Sequence, residues 1–304
     1  MTETLIDEFY TARNLLYLGA FPQTLQALAQ ITRSANETEK QAIKYRAYLG
    51  QGNYRMVINE LGPSSSSNTT QAPALQALYQ LATYVQATDE TAKQQVEASI
   101  AELVAVQNNL VDGTFVAIAS QVLVNQQKYE EALKLLTMHP KNLECIALSV
   151  VVLLQINRVD MAQKLVARTR GWAEDSPIAQ LAEAWTNLYV GGSKYTEASY
   201  IFEELAQGSS VTTVSLLNSL AVVKMHLGQL PEAESFLEEA LAKESNNPDT
   251  LANLVVCANL AAKPLETKNR YLSQLKDVAP SHPFVLDLQA KDAEFDTLAS
   301  LIEK

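Results

Sequence analysis

The sequence is poor in glycine and proline and lacks any long uncharged apolar run. Ten glycines and ten prolines in 304 residues are too few to punctuate a many-stranded sheet protein, whereas helix-favouring alanine, leucine, glutamine, glutamate and lysine are plentiful. The longest apolar candidate, Ile146 to Ile156, falls short of the roughly 18 to 20 residues that span a bilayer. The amino terminus has neither the basic start nor the apolar stretch of a signal peptide. We therefore expect an all-α, soluble, cytoplasmic protein.

Positive charge and cysteine are also scarce. The 23 lysines and arginines are outnumbered by 34 aspartates and glutamates, which gives a net charge of −11. No cluster of basic residues is visible, and this argues against a nucleic-acid partner and against direct adhesion to anionic lipid. The two cysteines, Cys145 and Cys257, lie far apart in apolar helical stretches, so we expect buried reduced thiols.

Motifs for catalysis or metal binding are missing as well. None of the three histidines, His139, His226 and His282, has a ligand-type residue four positions away. The segment Gly191-Gly-Ser-Lys194 lacks the upstream glycine of a phosphate-binding loop and lies between predicted helices. We expect neither an enzyme nor a protein with a cofactor or a metal.

What the sequence does contain is a repeat. Its landmark is a small or β-branched residue with an apolar, often aromatic, residue three positions before it and a bulky apolar residue four positions after it. The landmarks are Thr24, Val57, Val96, Ala132, Ala162, Ala198, Ala233 and Thr267, of which those at Val96 and Thr267 match less well. Their spacings of 33, 39, 36, 30, 36, 35 and 34 residues scatter about the 34-residue tetratricopeptide period.

The repeat predicts helix pairs. A small side chain is needed where two antiparallel helices and the next repeat meet, and the residue one turn later fills the adjoining hole. Gly19, Gly52, Asn157 and Gly228 each stand five residues before a landmark, where a turn needs positive φ. We predict an all-α, tetratricopeptide-like α-solenoid, a right-handed superhelix of about eight helix pairs spanning residues 1–304 as one domain; an irregular helical bundle is the alternative.

Three segments depart from the repeat. Residues 62–73 are polar and serine-rich, which predicts an exposed loop, either a phosphorylation site or simple filler. Arg168 to Pro177 is predicted to form a turn whose Trp172 packs back on the array or serves as a partner hot spot. Residues 283–304 carry apolar residues at helical spacing and are predicted to form a capping helix.

A solenoid offers surface for binding, because its first helices line a concave groove. The mixed lining predicted here suits a peptide segment or hairpin, with Asn and Gln for the backbone and apolar residues for side chains. For each residue a purely structural role stays open. Counting from the landmarks places in this groove Phe9, Arg13, Tyr17, Arg46, Gln121, Asn125, Val151, Gln155, Asn187, Asn218, Val222, Met225, His226 and Asn259.

Several stretches resemble one family. They include Lys44-Tyr-Arg-Ala-Tyr-Leu49, Asn142-Leu-Glu-Cys145, Tyr200-Ile-Phe-Glu-Glu204, Pro248-Asp-Thr-Leu-Ala-Asn-Leu254 and, most distinctively, Asn269-Arg-Tyr-Leu-Ser-Gln-Leu-Lys-Asp277 with Ser281-His-Pro-Phe284 and Gln289-Ala-Lys291. Together they are similar to the epsilon-subunit family of the coatomer (COPI) vesicle coat across nearly the whole chain.

The resemblance implies a non-enzymatic coat component without a cofactor. It implies a protein that binds and stabilises the C-terminal domain of the coatomer alpha subunit and meets other coatomer subunits indirectly. It further implies a cytoplasmic protein, peripheral on Golgi membranes and COPI-coated vesicles through the rest of the coat, in retrograde Golgi-to-ER and intra-Golgi transport.

A chaperone adaptor that captures an acidic C-terminal peptide is the rival interpretation. Such a groove needs lysine, asparagine and arginine at matched positions of three consecutive first helices. Those positions hold Phe9 and Arg13, Ala42 and Arg46, Glu183 and Asn187, and Asn218 and Val222, so no complete clamp is expected.

Overall fold

A computed structural model describes residues 7–32, 36–62, 72–208 and 212–302, and every regular element in these ranges is a helix. The α-helices are α1 (Tyr10–Tyr17), α2 (Phe21–Gln30), α3 (Glu37–Gly50), α4 (Tyr54–Leu61), α5 (Pro73–Gln86), α6 (Glu90–Ala105), α7 (Gly113–Asn125), α8 (Tyr129–Leu136), α9 (Leu143–Gln155), α10 (Val159–Ala173), α11 (Pro177–Val190), α12 (Lys194–Gly208), α13 (Val214–His226), α14 (Leu230–Lys243), α15 (Pro248–Leu260), α16 (Leu265–Val278) and α17 (Pro283–Ile302). A 3₁₀-helix covers Gln107–Val111. The chain forms two compact units, unit one within residues 1–194 and unit two within 195–304.

Successive helices form pairs whose boundaries follow the repeat. The residue three positions before the landmark begins the second helix in five pairs, as with Phe21 in α2 and Leu230 in α14. Seven of the eight landmark residues are buried, and the exception is Thr267, one of the two weaker matches. These seven side chains are buried and are small or β-branched. The helices of each pair can therefore pack closely. The predicted all-α class is confirmed.

Six of the turns inside the pairs share one conformation. Gly19, Gly52 and Gly228 have φ of 79°, 77° and 73°, and Asn157 has 58°, as the sequence predicts. Gln127 and Ala262, at the same position relative to their landmarks, also have positive φ, 61° and 51°.

Hydrogen bonds explain why non-glycine residues are held there. The residue after each of these six donates its backbone N–H to the carbonyl five residues earlier, for example Lys128 to Leu123 at 2.9 Å and Lys263 to Ala258 at 2.9 Å. This is the Schellman arrangement, which needs a left-handed residue to close the first helix. The turn therefore forms even at Gln127 and Ala262, where the side chain disfavours positive φ.

Both cysteines are buried free thiols, as expected. Cys145 and Cys257 are buried within separate units. Burial, and next the carboxylate of Glu144, raises the pKa of the Cys145 thiol to about 12, and burial raises that of Cys257. Neither thiol is suited to nucleophilic chemistry at neutral pH, because the thiolate is the reactive form.

The segments outside the repeat are described in part. Residues 63–71 of the predicted serine-rich loop lie outside the described residues, as do the first six residues and the last two. The turn predicted from Arg168 to Pro177 is shorter than expected, since α10 continues to Ala173 and α11 begins at Pro177. Helix α10 continues because Thr169 is buried on the same face as Val166 and Leu165 and so extends its apolar stripe.

The C-terminal helix α17 packs against the rest of unit two through its first residues. Val285 is buried and Phe284 partly buried against the core of α14, α15 and α16. Residues 289–298 are exposed throughout, including Phe295. A helix covers Pro283–Ile302. Its role as a cap and a single domain over 1–304 stay predictions.

The left-handed turns generate a stability prediction. We expect Ala262→Gly to raise the free energy of unfolding by about 0.5 kcal/mol, because glycine removes the Cβ strain of positive φ but adds entropy to the unfolded chain. Gly228→Ala should lower it by about 1 kcal/mol, since no atom lies within 4 Å of an added Cβ and backbone strain is the whole cost. Circular dichroism melts will check both signs, and a stabilising Gly228→Ala contradicts this account.

Candidate partner-binding surface

Five of the predicted groove residues lie around two adjoining cavities in unit one. The first cavity, of about 390 Å³, is lined by α1, α3, the start of α7, α9, the end of α10 and the start of α11, and includes Arg13, Tyr17 and Arg46. The second, of about 290 Å³, is lined from α1 to α5 and by α7, and includes Tyr17, Arg46, Gln121 and Asn125. Tyr17 and Arg46 belong to both walls. We name the combined lining the inner surface.

The inner surface exists because unit one turns back on itself. Helix α1 packs against α11, and Tyr17 packs against the core of α9, α10 and α11. Arg46 of α3 forms an ion pair with Glu144 of α9, and the Tyr17 hydroxyl donates to the Oε2 atom of Glu144 at 3.4 Å. These contacts join residues that stand about a hundred positions apart, so the first helices of successive pairs surround the cavities.

Glu144 is placed by the start of α9. The side chain of Asn142 caps this helix by accepting hydrogen bonds from the backbone N–H groups of Glu144 at 2.9 Å and Cys145 at 3.2 Å. Glu144 therefore lies in the first turn, where its negative charge is also favoured by the helix dipole.

The electrostatics of this cluster hold it in one state at neutral pH. The side chains of Arg46 and Glu144 are 19% and 17% exposed. Burial opposes the charge on Arg46, but the Glu144 carboxylate more than offsets this and raises the pKa of the guanidinium. Burial, followed by the same carboxylate, raises the pKa of Tyr17, so its hydroxyl remains a proton donor. The ion pair and the hydrogen bond together act as a clasp that joins the first two pairs to the fifth.

The second cavity is the more apolar of the two. Leu16, Phe21, Leu49, Leu81 and Val85 share its wall with the exposed amides of Gln121 and Asn125. One glycine is required here: a Cβ on Gly50 would stand 2.2 Å from the ring of Phe21. The cavity thus combines apolar walls with hydrogen-bonding groups at its edge.

Other predicted groove residues lie elsewhere in unit one. Phe9 is 2% exposed and packs in the core of α1, α2 and α3, and Asn187 is 6% exposed on α11, so neither presents a surface to a partner. We leave both out of the inner surface. Val151 is half-buried and Gln155 exposed on α9, but they do not line the two cavities.

The predicted residues of unit two are largely engaged within that unit. Asn218 of α13 donates to Thr250 at 2.8 Å and accepts from Asn253 at 3.0 Å, which ties α13 to α15. His226 stacks on Tyr195 with ring centroids 4.5 Å apart. Met225 packs against the core, Val222 is half-buried, and exposed Asn259 donates to the Val255 carbonyl at 2.9 Å.

Sequence reasoning missed Glu144 and most of the apolar wall. Glu144 lies about two turns before Val151, one turn outside the positions counted from the landmark. An acidic residue after a capping asparagine, opposite in charge to Arg46, was the available signal. The pairing itself depends on the closure of unit one, which no local pattern reveals.

The described residues lack features of metal binding and of membrane spanning. No group of three or more histidine, cysteine, aspartate or glutamate side chains in them could hold a metal ion. No helix within these ranges has both the length and the apolarity needed to cross a bilayer.

Comparison with solved structures defines the class. The fold matches the crystal structure of the APC/C hetero-tetramer Cut9-Hcn1 with a TM-score of 0.64 and 10% identity, over 92% of this chain and 54% of that one. It matches a tetratricopeptide repeat protein from Parabacteroides merdae with a TM-score of 0.59 and 14% identity, over 83% of this chain and 98% of that one. The protein has a tetratricopeptide-like α-solenoid fold.

Sequence comparison supplies the family. The family model of the coatomer epsilon subunit matches residues 5–303. Coatomer subunit epsilon-1 of Oryza sativa subsp. japonica is 35% identical over 291 residues, which cover 95% of this chain and 96% of the relative. Coatomer subunit epsilon of Dictyostelium discoideum is 30% identical over 305 residues, which cover 97% and 98%. The chain belongs to the coatomer epsilon subunit family and is a component of the COPI coat.

The clasp generates the second prediction. Arg46→Met or Glu144→Gln alone should lower the free energy of unfolding by about 1–3 kcal/mol, since each leaves a largely buried polar partner uncompensated. The double variant should lose less than the sum of the two. Urea unfolding followed by circular dichroism measures the coupling, with Arg158→Met, which breaks an exposed pair with Asp160, as the matched control expected to change little. Strictly additive losses would mean that the pair does not act as a clasp.

Proposed function

We propose that this coat protein binds and stabilises the C-terminal domain of the coatomer alpha subunit through the inner surface of unit one. The observation that carries the proposal is the pair of adjoining cavities, with apolar walls and exposed amides, inside a unit closed by the Arg46–Glu144 clasp. Membership in the coatomer epsilon family supports the choice of partner class. Other coatomer subunits are reached indirectly, through alpha.

The chemistry of the surface suits a short protruding segment of protein. The amides of Gln121 and Asn125 can hydrogen-bond an exposed backbone, and the wall formed by Leu49, Leu81 and Val85 can accept apolar side chains. Cavities of about 290 and 390 Å³ each hold a few side chains. A hairpin or loop of the partner therefore fits better than a broad flat face.

The proposed cellular role follows from the coat. We place the protein in the cytoplasm and, as part of assembled coats, peripherally on Golgi membranes and COPI-coated vesicles, in retrograde Golgi-to-ER and intra-Golgi transport. Membrane contact is made by other subunits. Because the coatomer and tetratricopeptide families are structural scaffolds, we propose no catalytic activity.

The chaperone adaptor is less well supported by the structure. Capture of an acidic C-terminal tail requires basic side chains free to bind carboxylates. The guanidinium of Arg46, the best placed of these, is already paired with Glu144, and Arg13 is paired with Asp7 and Glu39. A pull-down from cytosol that recovers chaperones without coatomer supports the adaptor instead.

Charge placed on the inner surface tests the proposal. Val85→Glu and Asn125→Glu should each weaken binding to the isolated C-terminal domain of alpha at least tenfold, because a carboxylate would be desolvated against apolar groups. Both sites are exposed in the free chain, so the fold should persist. Binding is measured by isothermal calorimetry and helicity by circular dichroism.

Matched controls locate the contact. Val111→Glu, at an exposed site outside both cavities, should bind normally. Val222→Glu places the same charge on the predicted lining of unit two. If both inner-surface variants keep their affinity for alpha and Val222→Glu loses it, the contact lies in unit two. This outcome overturns the assignment to unit one.

A further inference from the structure

A second recess of unit one lies over helix α9, between α8 and α10. We name it the α8–α10 groove. Its volume is about 780 Å³, larger than either cavity of the inner surface. Its floor is formed by Leu136, Ile146, Leu153 and Leu165, and its rim carries Met161 and Trp172.

The groove is bordered by two helices of different length. Helix α8 has 8 residues, whereas α10, the second helix of the next pair, has 15. At about 1.5 Å per residue, α10 is roughly two turns, or ~10 Å, longer than α8. The apolar floor lies along α9 and α10, beside the end of α8.

The two hydroxyl donors among the groove's buried residues are already engaged within the chain. The hydroxyl of Ser149 donates to the Cys145 carbonyl at 2.7 Å, and that of Thr169 donates to the Val166 carbonyl at 2.8 Å. An extended peptide would therefore leave its backbone N–H and C=O groups unsatisfied against this floor. A helix satisfies these groups internally, so a helical occupant is favoured.

The rim is basic on a chain whose net charge is −11. Lys141 stands at one end, and Lys164 and Arg168, one turn apart on α10, stand along one side. Within the described ranges none of these three side chains forms an ion pair with a carboxylate. Asp160 lies one turn before Lys164 but is hydrogen-bonded to Arg158 at 2.9 Å. The unpaired charge calls for carboxylates on the occupant.

Two rim residues present apolar surface. Trp172 is 51% exposed, and its indole N–H already donates to the Arg168 carbonyl at 3.1 Å, which leaves the ring face for packing. Met161 is 43% exposed, and methionine adapts readily to a partner's side chains. Exposed tryptophan beside basic residues has the composition of an interface hot spot.

We propose that the α8–α10 groove binds an amphipathic helical segment of another protein chain, two to three turns long, with apolar residues at i and i+3 or i+4 and acidic residues flanking them. The segment packs on the apolar floor beside the end of α8 and pairs its carboxylates with Lys141, Lys164 and Arg168. This surface is additional to the site proposed for alpha, although Lys141 and Trp172 line both the groove and the first cavity of the inner surface.

A symmetric contact between the grooves of two copies of this chain is a less suitable arrangement. Two basic grooves repel each other, so a symmetric contact between copies is unfavourable. A lipid surface is also less suitable, because the apolar residues line a recess and the chain as a whole is acidic. Both occupants are separated by the test.

The test uses assembled coatomer with p-benzoylphenylalanine in place of Met161. We expect a light-dependent cross-link to a segment of another chain that is rich in apolar and acidic residues. The same cross-linker at Gln163, an exposed residue of α10 outside the groove, should give none. The paired substitution Lys164→Glu/Arg168→Glu should reduce the cross-link at least tenfold, whereas Lys134→Glu, on exposed α8 surface, should not.

The experiment separates failure of the groove proposal from failure of the proposed binding to alpha. These substitutions lie outside both cavities of the inner surface, so calorimetry with the C-terminal domain of alpha should be unchanged by them, and failure of either proposal is seen separately. The proposal is overturned by equal yields at positions 161 and 163, by cross-links to a neutral or basic segment, or by cross-links to a second copy. Sedimentation of the free chain with phosphatidylserine vesicles, abolished by Lys164→Glu/Arg168→Glu, would identify a lipid and overturn it as well.

Discussion

Close approach of helix backbones is the constraint on which this molecule depends. Thr24, Ala132, Ala162 and Ala233 are fully buried at the crossings of their helix pairs, and a larger side chain at any of them would force the two backbones apart. The residue one turn later, such as Leu136 or Leu237, fills the space that the small residue leaves. Because the same crossing recurs, successive pairs within each unit can stack on one another.

That stacking determines which features the sequence could predict. The landmark residues, the starts of the second helices and the glycine turns depend on contacts within one pair, and local spacing therefore reveals them. Gln127 and Ala262 depart from the expected glycine or asparagine, yet the hydrogen bonds of the Schellman arrangement hold them at positive φ. Position within the repeat was a better guide to backbone conformation than the identity of the residue.

The candidate site was predictable only in part, for a physical reason. Tyr17, Arg46, Gln121 and Asn125 project from first helices at positions that the repeat defines, so counting from landmarks placed them together. Glu144 could not be found in this way, because its ion pair with Arg46 joins α9 to α3 through the closure of unit one. The prediction that Phe9 lies on a surface was wrong. Phe9 precedes α1 and packs in the core of α1, α2 and α3.

The inner surface and the α8–α10 groove differ in how their charged side chains are paired. On the inner surface Arg46 is paired with Glu144, and Arg13 is paired with Asp7 and Glu39. Beside the end of α8 an apolar recess lies along α9 and α10, and the basic residues Lys141, Lys164 and Arg168 around it form no ion pair with a carboxylate among the described residues. The two proposed sites thus differ in chemistry, because one is closed by an ion pair within the chain and the other is bordered by basic side chains without an ion-pair partner in the described ranges.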